Sequence, residues 1–205
     1  MRLIDLSHKF TGKMPVYPGD PVPEITKGAD IKKEGYNDYY IKTGMHVGTH
    51  IDAPLHMLEN GKRLTEIEIE HFYGNGCLID ARGKPAIGSD SLKKATVRKG
   101  DIVLVLTGFY KKFGQAEYYE KYPEITEDFA KKLVDLGVKI VGVDTPSPDR
   151  PPFNIHKLLL KNNVLIIENL TNLEKLLGIK KFEIFAFPPN FDVEGSPVRV
   201  VAKVG

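Results

Sequence analysis

His46-Val47-Gly48-Thr49-His50-Ile51-Asp52-Ala53-Pro54-Leu55-His56 places three of the chain's six histidines, with a carboxylate, in one short run. Imidazole nitrogen and carboxylate oxygen are the ligands that borderline divalent metals such as Zn²⁺ favour. In a regular strand, at roughly 3.3 Å per residue, His46 and His50 would lie about 13 Å apart. Ligand atoms sit roughly 2.0–2.2 Å from zinc, so a flat strand cannot bring both to one ion. A helical turn could, with about 5–6 Å between Cβ atoms at positions i and i+4. Val47, Thr49 and Ile51 are β-branched, however, Gly48 is a poor helix former, and Pro54 disfavours the α region at Ala53. The stretch therefore predicts a strand ending near His46 and a tight, irregular turn after it. Gly48 leaves room there for the backbone or an ion to approach. A run of partly buried polar residues bonded to the backbone is the plainer alternative; the density of ligand-type groups favours a metal.

Outward from this run, the pattern H-x-G-T-H-x-D-x-P-x-H resembles the signature of the kynurenine formamidase, or cyclase, family of metal-dependent hydrolases. Tyr17-Pro18-Gly19-Asp20-Pro21 is similar to the family's N-terminal aromatic-Pro-Gly-Asp loop, and Gly142-Val143-Asp144-Thr145-Pro146-Ser147-Pro148-Asp149 to its later loop. His156 and Glu168 fall where the family places its last two ligands. The resemblance implies two metal ions in one site, usually zinc and in some relatives manganese. By position, His46, His50 and Asp52 would hold one ion, His156 the second, and Asp52 and Glu168 would be shared. His56 would be the free catalytic histidine. It also implies a swivelling β/β/α fold and a homodimer or homotetramer. Kynurenine formamidases carry Trp where Tyr17 stands; Tyr17 can still stack on a substrate ring.

Composition sets the class. At 205 residues the chain predicts one domain, 1–205, long enough to bury a substantial core. Its 41% hydrophobic and 27% charged residues are those of an ordinary globular protein. A net charge of +2 gives no electrostatic case for nucleic acid or a membrane surface. No apolar run approaches a membrane span, the N-terminus lacks a signal peptide's apolar core, and a lone Cys77 cannot form an internal disulfide. The expected location is the cytoplasm.

Along the chain, Arg2 to Leu6, Tyr39 to Met45 and Gly76 to Ala81 read as strands. So do Asp101 to Leu106, Val138 to Val143, Val164 to Ile167, Lys181 to Phe187 and Val198 to Val204. Thr11 to Gly28, rich in Pro and Gly, predicts an ordered loop. His8 just before it reads as a surface or subunit-contact residue, and His71 as structural. Glu66, Glu68 and Glu70 predict a solvated face on a partly helical connection. Thr126 is a candidate N-cap for a helix with Phe129, Leu133 and Leu136 on its apolar face and Gly137 at its end. Further helices are expected from Ile155 to Leu160 and from Thr171 to Leu177. Strands separated by capped helices predict an α/β fold with a mixed, largely buried sheet. Phe109 and Tyr110, just past a strand's C-terminal end, are candidate substrate contacts, and equally plausible core aromatics. Glu168, directly after an apolar run, would be expensive to bury unpaired, which independently favours ligation.

Two metals sharing Asp52 and Glu168 would suit a two-metal hydrolase, with His56 moving protons. No G-x-S-x-G elbow suggests a serine hydrolase. The leading reading is an arylformamidase acting on N-formylkynurenine, with zinc. A hydrolase of a cyclic amide or lactone keeps the metals and changes the substrate. A non-catalytic, metal-dependent small-molecule binder is the third reading, and an unligated His56 argues against it.

Overall fold

In the computed structural model, which describes residues 1–205, thirteen strands and three α-helices follow in order. These are β1 (Arg2–Asp5), β2 (Glu24–Ala29), α1 (Ile31–Glu34), β3 (Asp38–Lys42), β4 (His50–Asp52), β5 (Tyr73–Asp80), β6 (Ala86–Ile87) and β7 (Ile102–Leu106). Then come β8 (Glu124–Ile125), α2 (Glu127–Asp135), β9 (Ile140–Val143), α3 (Asn154–Lys161), β10 (Leu165–Glu168), β11 (Phe182–Phe185), β12 (Gly195–Pro197) and β13 (Val201–Val204).

Nine strands form one mixed sheet in the order β1-β13-β11-β5-β7-β9-β10-β4-β12. Its centre, β5-β7-β9-β10, is parallel, and antiparallel strands flank it on both sides. The α/β class and buried mixed sheet expected from the sequence are thus observed. Every residue of β7 is buried, and the alternation along it explains how. Ile102, Leu104 and Leu106 enter one apolar cluster, while Val103 and Val105 enter another on the opposite face.

The second cluster is covered by α2 and α3. In α2, Phe129, Ala130 and Leu133 are buried on one stripe, and Glu127 and Asp128 lie in the first turn where the helix dipole favours them. Burying a side chain such as Phe129 or Leu133 contributes about 1.5–3 kcal/mol. Gly137, in the left-handed region, stops the chain from continuing the helix. The first cluster has no α-helical cover. Ile4 from one sheet edge, Leu104 from the centre and Ile51 from near the other edge share it, so the sheet curls around its own apolar face.

Several local expectations shift. The strand before the histidine run ends at Lys42, and the run itself re-enters the sheet: His50, Ile51 and Asp52 are β4, between β10 and β12. Pairing with two neighbours overrides the local turn tendency. The end of the Thr11–Gly28 loop is β2, paired with β3 in a separate hairpin. Thr126 precedes α2, but its hydroxyl donates to the Ile87 carbonyl and so does not cap the helix. Thr171 to Leu177 contains one 3-10 turn, Leu173–Leu176, in place of a longer helix. His8 is half-buried, its ring stacked on Phe113 with centroids 3.7 Å apart. His71 is structural, its Nε2 lying 3.0 Å from the Lys139 carbonyl. No helix is long and apolar enough to cross a membrane.

Candidate metal centre

The period of two along β4 puts His50 and Asp52 on one face and sends Ile51 into the core on the other. Antiparallel β10 sets Glu168 directly opposite His50 and Ile166 opposite Asp52. One stretch of sheet therefore aims an imidazole and two carboxylates at the same point. His156, on the first turn of α3, reaches in from the helical layer. Its Nε2 lies 3.1 Å from Glu168 Oε1 and 3.9 Å from Asp52 Oδ2. His46, in the turn before β4, places Nδ1 2.8 Å from Asp52 Oδ1.

Donor atoms meet here in two groups, each within 4.8 Å: His46, Asp52 and His56, and His50, Asp52 and Glu168. Asp52 belongs to both, as a bridging ligand would. His56 ends the 3-10 turn Pro54–His56, where Pro54 occupies the first position and Met57 N–H closes the turn onto its carbonyl. Its ring lies 4.0 Å from that of His46 and 6.0 Å from that of His156. All six polar side chains singled out from the sequence, His46, His50, Asp52, His56, His156 and Glu168, are thus brought together.

The donor set fits a divalent cation on a structural observation. His46 Nε2, His50 Nε2 and Asp52 Oδ2 are buried and have no hydrogen-bond partner. Three orphaned ligand-type atoms in one place would cost about 1–3 kcal/mol each if nothing satisfied them. His50 Nε2 is near Glu168 Oε2 (3.2 Å) and Asp52 Oδ1 (3.5 Å) without a bonding geometry to either. Electrostatics agree. Burial alone would raise Asp52, yet His50 and His46 hold it well below the ordinary carboxylate range. Burial would lower His50, but Asp52 and Glu168 outweigh it and raise it to about 9. The two carboxylates thus demand positive charge, whether from protons on imidazoles or from a cation. His56 differs: burial lowers its pKa, and Asp52 only partly offsets this.

Partners that residue-by-residue reading missed hold these groups. Asp149 Oδ1 lies 2.5 Å from His156 Nδ1, and its other oxygen accepts from Ile155 N–H at 2.7 Å. That leaves Nε2 of His156 facing the cluster, the usual outer support of a metal-ligating histidine. The seven-residue spacing from Asp149 to His156 was the available signal. Glu194 places Oε1 3.4 Å from His46 Nε2, and only the β12–β4 pairing brings it there. Gly195 follows from the same pairing: a Cβ at this position would meet His46 Cε1 at 2.8 Å.

The cluster forms the floor of a cavity of about 240 Å³ walled by Tyr17, Tyr119, Met57, Pro146 and Phe153. Tyr17 packs edge-on against Tyr119, with centroids 5.7 Å apart. Phe109, expected at the substrate, is not on this wall. It stacks behind it on Tyr118, 5.5 Å away, and near Tyr122, and is itself half-buried. The 3-10 turn Ala116–Tyr119 intervenes and presents Tyr119 instead.

Residues 4–150 match the family model described as "Putative cyclase". A protein of Methanocaldococcus jannaschii is 37% identical over 98% of this chain and 99% of its own length. A kynurenine formamidase of Bacillus thuringiensis subsp. konkukian is 30% identical, covering 98% of this chain and 96% of the relative. Among solved structures, isatin hydrolase A from Labrenzia aggregata superposes with a TM-score of 0.88 at 23% identity, over 99% of this chain and 93% of that one.

Proposed function

The chain belongs to the cyclase family, and on that premise we propose that it is a metal-dependent amide hydrolase, an arylformamidase cleaving N-formylkynurenine to kynurenine and formate. The observation that carries this reading is the set of orphaned buried donor atoms at the foot of an aromatic-walled cavity. The ligand roles follow the family resemblance: His46, His50 and Asp52 would hold one ion and His156 a second, with Asp52 and Glu168 shared, while donor-atom proximity groups His46 with His56 and His50 with Glu168. Zinc suits this nitrogen-and-oxygen set, and manganese can replace it.

Divalent cations held there would polarise the scissile carbonyl as Lewis acids and make a water easier to deprotonate at neutral pH. The chain's own groups do the rest. Tyr17 and Tyr119 hold the substrate's aromatic ring between their faces and edges. His56, neutral because burial lowers its pKa, takes the proton from the attacking water and returns it to the leaving nitrogen as the C–N bond breaks. The products are the free amine and the carboxylic acid, which balances hydrolysis of an amide.

A second reading is favoured by one feature. None of the cavity's sixteen lining residues is Lys or Arg, so this chain offers no cationic side chain to the α-carboxylate of N-formylkynurenine. An uncharged formamide or a cyclic amide fits such walls better. Turnover of N-formylkynurenine, a neutral arylformamide, a cyclic imide and a lactone on zinc-loaded protein separates the two. Hydrolysis of N-formylkynurenine at least tenfold faster than of the others supports the first reading; the reverse order supports the second. Hydrolysis of none of them would overturn both, leaving a binder without turnover.

We place the protein in the cytoplasm and expect it to work as a homodimer or homotetramer. The β2–β3 hairpin supports assembly. Tyr39, Tyr40 and Ile41 on β3, with Ile25 on β2 and Ile31 and Tyr36 in the connection, are all exposed. A lone two-stranded hairpin is only marginally stable in water, so an apolar cover is expected. Sedimentation at micromolar concentration should give at least a dimer, and Tyr40→Glu with Ile41→Glu should shift it toward monomer. A wild-type monomer would count against this assignment.

A further inference from the structure

We propose that Asn169, braced by Tyr118, is a positioning residue that fixes the imidazole of His50 and thereby joins the wall of the substrate cavity to the metal-binding face through one buried hydrogen-bond chain. The inference rests on His50 being a ligand, as proposed above, and adds groups outside the donor set.

Asn169 follows Glu168 and leaves β10 with a φ of 56°, in the left-handed region, where Asn is tolerated better than most side chains. It is 5% exposed, and each of its four polar groups goes to a different partner. Its N–H donates to the Thr145 carbonyl at 3.0 Å. Its carbonyl accepts from the Thr49 hydroxyl at 2.6 Å. Its side-chain Nδ2 donates to the Gly48 carbonyl at 3.0 Å, and its Oδ1 accepts from the Tyr118 hydroxyl at 2.9 Å. The orientation of the amide is dictated chemically. A carbonyl such as that of Gly48 can only accept, so Nδ2 must face it and Oδ1 must face Tyr118. Tyr118, fully buried, keeps its proton and serves as the donor.

The Gly48 carbonyl is the hinge of the chain, because it also receives His50 Nδ1 at 2.8 Å. A histidine that donates Nδ1–H to a backbone carbonyl presents Nε2 as its lone pair, and here Nε2 faces Asp52 and Glu168. Gly48 itself has φ +66, and its carbonyl is held between Asn169 Nδ2 and His50 Nδ1. Asn169 therefore ties three things at once: Glu168 through the backbone, His50 through Gly48, and the Ala116–Tyr119 turn through Tyr118. Adjacent residues of that turn divide the work. Tyr119 lines the cavity, while Tyr118 points inward to the amide.

Two variants isolate the effect. Asn169→Gly keeps a backbone free to adopt positive φ while removing the side chain. Tyr118→Phe removes one hydroxyl and no volume from the ring. Zinc affinity, measured by competition with a chelator, should fall about 10–100-fold in Asn169→Gly, the range typical when an outer partner of a metal ligand is lost. Tyr118→Phe should move it in the same direction by a smaller factor. In the zinc-loaded protein the His50 Nδ1–H proton resonance should be sharp in the wild type and exchange-broadened in Asn169→Gly. Phe129→Leu, a distant core change, should keep the wild-type affinity and resonance, so general loosening of the fold can be recognised. Affinity within twofold of wild type in both variants, with the resonance unchanged, would overturn the positioning role alone. A wild-type protein that fails to bind zinc or manganese would instead overturn the metal reading beneath it.

Discussion

Asp52→Ala is expected to strip the metal from the protein and abolish hydrolysis. Asp52 is fully buried, and its carboxylate is the only one present in both groups of donor atoms. Its Oδ1 is bonded to His46, and its Oδ2 is one of the orphaned atoms awaiting a partner. Deleting it removes a ligand from each proposed ion and leaves Glu168 as the only proposed carboxylate ligand. The loss in affinity should exceed the roughly 10–100-fold that follows from losing an outer partner. Asp52→Asn, which keeps the volume and removes the charge, controls for packing and should also lose metal. Elemental analysis of metal per chain, beside turnover on the same preparations, reads both. Full metal occupancy in Asp52→Ala would show that Asp52 is not a bridging ligand.

His56→Ala should behave differently. His56 lies past Pro54 on a separate 3-10 turn, half-buried at the cavity wall, and carries no share of the sheet's hydrogen bonding. We expect near-normal metal content and a fall in kcat of roughly 10²–10⁴, the usual range for a lost acid–base catalyst. KM should change little, because the aromatic walls remain. The contrast with His46 makes the test sharp. The two ring centroids lie 4.0 Å apart, and both side chains approach Asp52. If His56→Ala loses metal while His46→Ala keeps it, the roles of ligand and proton carrier are exchanged between these neighbours.

These two positions also mark how much of the chemistry the sequence itself carries. Ligand-type residues compressed between His46 and His56 announced a metal, since few other roles demand so many such groups so close together. The cost of burying Glu168 unpaired pointed the same way from more than a hundred residues along the chain. Apolar continuity from Ile102 to Leu106 announced a strand buried on both faces, as found. Fold class was therefore legible from residue type and local spacing, whereas the roles proposed for His156, Glu168 and His56 come from the family resemblance.

What local spacing could not decide is everything set by pairing across the sheet. The turn tendency of His46 to Ala53 is real, yet His50 to Asp52 became a strand because β10 and β12 flank it, and backbone pairing on both sides outweighs a weak local preference. That pairing is also what puts Glu168 opposite His50 and brings Gly195 and Glu194 against His46. Phe109 fell behind the cavity and Tyr119 took the wall, because the direction of a side chain leaving a 3-10 turn is settled by packing. The buried chain from Tyr118 through Asn169 and Gly48 to His50 spans residues 48 to 169. Tertiary structure alone decided it: hydrogen-bond partners distant in sequence are chosen by which strands and turns meet, and no periodicity along the chain encodes that meeting.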